Sequence, residues 1–193
     1  MFCRSWKFGV FLLLLASQLA AGTISIQYSV TPLGGNVYEY VYSVYNNGTL
    51  PGNGSVQLFD IDFDTSLYSA LQISTPSSFN LQWSQEILAG GLGYPAEFDV
   101  CAAPASSPSC PPFSGSGIPV YSTLAGFSVT FDWLGSGTPG PQPFEVYDSN
   151  FNKLQSGETA TPEPSSLCLI ALAFSLTACR IRLRRSKPTP SRR

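Results

Sequence analysis

The 193-residue sequence contains no histidine. That absence excludes a Ser-His-Asp or Cys-His catalytic unit and any imidazole-ligated metal. Basic residues are nearly missing from the middle of the chain. Between Thr23 and Thr161, Lys153 stands alone against eleven Asp and Glu, a net charge of −10 that the overall value of −2 conceals. Such a body repels phosphate backbones, so nucleic acid is not a partner. Cysteine is scarce in the same stretch. Only Cys101 and Cys110 occur there, and no other soft ligand stands near them. No helical apolar pattern runs for ten or more residues before Leu167.

What is present is β-strand pattern. "TISIQYSV", "NVYEYVYSVYN", "SVQLFDIDFD", "FNLQWSQEIL", "AEFDV", "FSVTFDWL" and "FEVYDS" alternate apolar and polar positions, separated by Gly, Pro, Asn and Ser. In the second segment Tyr38, Tyr40, Tyr42 and Val44 share a face. In "FSVTFDWL" Phe127, Val129, Phe131 and Trp133 do. A period of two with turn signals every 8–15 residues predicts an antiparallel β-sandwich of about seven to nine strands, immunoglobulin-like or jelly-roll-like. Its expected span is residues 23–156. Asn47-Gly48-Thr49, a glycosylation-type pattern, reads here as a turn former.

Asp60, Asp62 and Asp64 form the sharpest local constellation. Strand periodicity predicts all three on one face, where a Ca²⁺ ion completed by Asp99, Asp132 or loop carbonyls would screen them. The competing reading is a solvated face that discourages edge pairing, and it is the stronger one, so no cofactor is expected. Paired carboxylates also serve glycoside hydrolysis, but nothing in the sequence singles out a pair. Tyr38, Tyr40, Tyr42, Tyr45, Trp83, Tyr94 and Trp133 offer aromatic surface for stacking on glycan rings, or simply core.

Both ends carry targeting features. Arg4 and Lys7 precede an apolar run over residues 9–16, followed by Ala20-Ala21-Gly22. This is the three-part form of a secretory signal peptide over residues 1–22, cut after Ala21 or Gly22, with the Sec translocon and signal peptidase as partners. Export to an oxidising compartment lets Cys101 and Cys110 close a disulfide, worth roughly 2.5–3 kcal/mol for so small a loop. At the other end, residues 157–166 read as a polar linker containing Pro162-Glu163-Pro164. Residues 167–179 carry no charge. Their thirteen positions make about 20 Å of helix against a ~30 Å hydrocarbon core. Counting residues 167–183 as the transmembrane helix lets Arg180 and Arg182 snorkel to the interface. Arg184 and Arg185 begin a basic tail, residues 184–193, which the positive-inside rule keeps in the cytoplasm.

The order Pro162-Glu163-Pro164, apolar run, then Arg180, Arg182, Arg184 and Arg185 resembles the PEP-CTERM sorting signal of Gram-negative bacteria. The resemblance covers about 25–30 residues of the tail and says nothing of the body. The basic tail is longer than the usual short Arg cluster, which leaves room for a plain anchor. The resemblance implies recognition by an exosortase near the Pro-Glu-Pro motif. It also implies a final location at the cell surface or extracellular matrix, associated with exopolysaccharide or biofilm. The chain therefore reads as a non-catalytic exported protein, anchored in the envelope at least transiently. A surface glycan-binding or Ca²⁺-binding module and an envelope glycoside hydrolase stand as alternatives.

Overall fold

The computed structural model describes residues 24–51, 54–103, 115–148 and 150–162. Nine strands occupy them: β1 (Ile24–Gly34), β2 (Val37–Asn46), β3 (Leu58–Phe63), β4 (Tyr68–Ile73), β5 (Ser84–Leu88), β6 (Ala96–Cys101), β7 (Ser122–Trp133), β8 (Pro143–Tyr147) and β9 (Lys153–Glu158). One 3₁₀ turn, Ser77–Leu81, lies between β4 and β5. Among the described residues no helix is long and apolar enough to cross a membrane. The strands form a four-stranded sheet, β1-β2-β7-β4, and a five-stranded sheet, β5-β6-β3-β8-β9, antiparallel throughout. The architecture is the expected β-sandwich. The signal peptide, residues 163–193 with Glu163 and Pro164, and Cys110 lie outside the described residues.

Alternation creates the core. Tyr40, Tyr42 and Val44 of β2, Phe59, Ile61 and Phe63 of β3, and Phe127, Val129 and Phe131 of β7 are all at most 1% exposed. Their rings interlock: Tyr40 stacks on Phe131 at 4.8 Å, and Phe59 meets Phe127 edge-on at 5.3 Å. Each buried aromatic contributes about 1.5–3 kcal/mol. The buried phenols need hydrogen-bond partners. Gln142, on the loop before β8, supplies them. Tyr42 donates to its Oε1 at 3.1 Å, and its Nε2 donates to the Tyr68 hydroxyl at 3.2 Å. The Tyr40 hydroxyl donates to the Gly140 carbonyl at 2.7 Å.

Two strands depart from the sequence pattern. In β4 the register slips between Ser69 and Gln72, and Ala70 has a φ of 51°, so the period of two is broken. β9 is polar and mostly exposed, and backbone pairing with β8 defines it instead of an apolar face. The expected linker over residues 157–166 is corrected accordingly. β9 continues to Glu158, and Ala160 bridges to Gln27 of β1. The body thus extends four residues past the boundary at 156. A bulge in β7 has its own cause. Gly126 lies opposite the register shift between Tyr42 and Ser43, at a φ of 114°, and the Phe79 ring sits 3.1 Å from where a Cβ would be. Only glycine fits both demands.

Candidate functional site

Two features merit a functional reading: the outer face of the five-stranded sheet and the C-terminal junction. On that face the register aligns carboxylates across four strands. Glu86 of β5 lies opposite Asp99 of β6, Asp99 opposite Asp60 of β3, and Asp60 opposite Glu145 of β8. One step along, Glu97 faces Asp62. Directly opposed residues hold their Cβ atoms about 4.5–5.5 Å apart. Six carboxylates thus form a ladder of like charge. Lys153 of β9 is the cation at its edge, 2.6 Å from Glu145 Oε1.

The ladder responds by holding protons. Burial, then the charges of Asp99, Glu97, Asp62 and Glu145, push the Asp60 carboxyl up to about 8. Among the described residues its buried Oδ1 has no hydrogen-bond partner. Burial followed by Glu97 and Glu145 raises Asp62 to about 6, while Lys153 opposes the shift. Burial, Glu86 and Glu97 raise Asp99 to about 6. Glu145 moves the other way, held below its usual range by hydrogen bonds from Lys153 and Tyr147.

Asp64 stands apart from this set. β3 ends at Phe63, so the expectation that Asp60, Asp62 and Asp64 share a strand face is corrected. Asp64 caps the following turn, accepting from the Ser66 N–H at 2.9 Å and Ser66 Oγ at 2.7 Å. Asp132 belongs to β7 in the other sheet and cannot complete a site with Asp60. Among the described residues no group of three or more Asp, Glu or Cys is placed to hold a metal ion. The ladder partners Glu86, Glu97 and Glu145 were not distinguishable in sequence, because register between distant strands is not written there. The one local hint was Glu97-Phe98-Asp99, which repeats the alternation of Asp60-Ile61-Asp62.

The aromatic candidates do not form a shared platform. Tyr40, Tyr42 and Trp83 are core residues, and Tyr38 and Trp133 pack against that core. Tyr45 and Tyr94 are exposed, one at the end of β2 and the other in the loop between β5 and β6. A groove of about 590 Å³ runs between β1 and β9, and among the described residues Glu158 is the one carboxylate lining it. It offers no acid–base pair for hydrolysis. Asn47 behaves as the sequence implied, accepting from both the Thr49 N–H and the Thr49 hydroxyl.

The C-terminal junction lies opposite the free edge of β1. Thr159 is 2% exposed. Its N–H donates to the Gln142 carbonyl and its Oγ1 accepts from the Gln142 N–H, both at 2.8 Å. The Ala160 N–H donates to the Ile26 carbonyl at 3.0 Å, and the Ala160 carbonyl accepts from the Tyr28 N–H at 2.9 Å. Thr161 and Pro162 are exposed. The next bond of this parallel ladder would require an N–H at position 162, which proline lacks.

No family model matches the chain, and no curated protein matches it. Among solved structures, a chain from a crystal structure of a type I cohesin–dockerin complex of Clostridium thermocellum is similar at 15% identity. The match covers 73% of this chain and 100% of that one, with a TM-score of 0.38.

Proposed function

We propose that this chain is an exported, non-catalytic protein of the cell surface or extracellular matrix, delivered by a PEP-CTERM signal and handled by an exosortase at Pro162-Glu163-Pro164. One observation carries the reading. Among the described residues the hydrogen bonds of the folded body end at Ala160, and Pro162 stands exposed beyond them. An enzyme that cuts or transfers a chain needs an extended, accessible segment. Prolines on both sides of Glu163 favour that conformation and bar entry into a sheet. The apolar run and the arginines from Arg180 to Arg185 then serve as a membrane stop.

The remaining assignments follow from export. Cys101 is disulfide-bonded, and Cys110 is its proposed partner. Peptide mapping without reductant tests that pairing. The acidic body suits solubility and contact with neutral glycans or exopolysaccharide more than with anionic lipid. Mass spectrometry of the mature protein from its native host tests the central claim. The expected C-terminus lies near Glu163. A tail intact through Arg193 would replace processing with permanent anchoring.

A further inference from the structure

The two ends of the body meet along one edge. Ile24 opens β1, and its N–H donates to Gln155 Oε1 at 2.6 Å while its carbonyl accepts from Gln155 Nε2 at 2.8 Å. A side-chain amide thereby satisfies both backbone groups as a neighbouring strand would. Three residues on, Ala160 takes over as the partner of Ile26 and Tyr28. Thr159, buried beside it, is tied on both its N–H and its hydroxyl to Gln142.

The sense of the pairing decides its mechanics. The bridge between Gln27 and Ala160 is parallel. β1 and the departing tail therefore run the same way, and the start of β1 and the exit of the chain point to opposite ends of the shared edge. A force separating those ends slides one segment along the other and loads the bonds of Thr159 and Ala160 to Gln142 and β1 together. A force that pulls the tail sideways from the far end of β1 would open them one at a time. We propose that Thr159 and Ala160, clasped by β1 and Gln142, form a shear lock that carries load from the C-terminal attachment into the core of the sandwich. Its service at a surface rests on the reading above, but its mechanics do not. The chemistry favours placement here: Thr159 brings a hydroxyl as a second acceptor, and the missing N–H of Pro162 confines the lock to its first residues.

Single-molecule force spectroscopy tests the lock on the full chain in detergent. One geometry uses handles ligated to the N-terminus of the mature chain and to Arg193, which shears the edge. The second places a click-chemistry handle at Asn36, in the turn after β1, with the other handle again at Arg193, which unzips it. The expected rupture force is at least about twofold higher in shear. Thr159→Val, which keeps shape but removes the hydroxyl, and Ala160→Pro, which removes the N–H, should lower the shear force and leave the unzipping force alone. Equal forces in the two geometries overturn the proposal without any variant having to fold. So does a shear force that neither variant lowers. Failure of tail processing in the host would leave this result untouched, and the converse also holds.

Discussion

Asp60 shows how one residue can set the pH response of the body. Its folded-state carboxyl is raised to about 8, and Asp62 and Asp99 to about 6, from an unfolded value of 3.8. A raised value means that the folded chain binds protons more tightly than the unfolded one. The stability so gained is complete below about pH 4 and is lost as pH rises, first through 6 and then through 8. Glu145 acts in the opposite sense and favours folding above its own range. The melting temperature is therefore expected to peak near pH 4–5 and to decline toward pH 8. Asp60→Asn removes the upper part of that decline. It should stabilise the protein at pH 8 by about 1–2 kcal/mol after solvent screening, and change little at pH 4. Thermal melts of both proteins across pH 4–9 provide the check, and parallel curves would contradict the ladder.

At the scale of elements, β4 is the strand whose geometry conflicts most with its residue. Ala70 is exposed and holds a φ of 51° where the register slips. A non-glycine residue in that region costs about 1–2 kcal/mol. Glycine removes the strain but adds freedom to the unfolded chain. Ala70→Gly should thus stabilise by about 0.5–1 kcal/mol, read as a shift in denaturant midpoint at constant slope. This strand also marks where sequence reading fails. The segments around Tyr40, Ile61 and Val129 were legible because burial on one face enforces a period of two, and the structure buries those residues. β4 was missed because its bulge breaks the period, and β9 because its Gln, Ser, Gly and Glu are held by backbone pairing instead of burial. The site followed the same division. Asp60 and Asp62 were visible as neighbours on one strand, whereas Glu86, Glu97 and Glu145 join the ladder only through cross-strand pairings between residues 13 to 85 positions apart.

For the whole molecule the boundary of the body matters most, because it decides how much of the C-terminal segment can be removed without harm. Sequence pattern places the end at Ser156, where alternation fades. Hydrogen bonding places it at Ala160. The two boundaries differ by Gly157, Glu158, Thr159 and Ala160. Gly157 pairs with Phe144, whose ring lies 2.9 Å from where a Cβ on residue 157 would sit. Glu158 pairs with Pro143. Thr159 satisfies the Gln142 N–H inside the core, and Ala160 satisfies Ile26 and Tyr28. Losing these residues leaves Gln142 without a partner for its backbone N–H beside Tyr42 and Tyr68, where an unmet donor or acceptor costs about 1–3 kcal/mol. A chain ending at Thr161 should therefore melt within about 2 °C of the full-length protein. One ending at Ser156 should lose about 3–5 kcal/mol, a drop of roughly 10 °C or more for a body of this size. Calorimetry on the two truncations separates these outcomes. Equal melting temperatures would place the last four residues outside the body, and cleavage anywhere after Ser156 would then be harmless. A large difference would confine harmless processing to the segment that begins at Thr161, which is where the Pro-Glu-Pro motif lies.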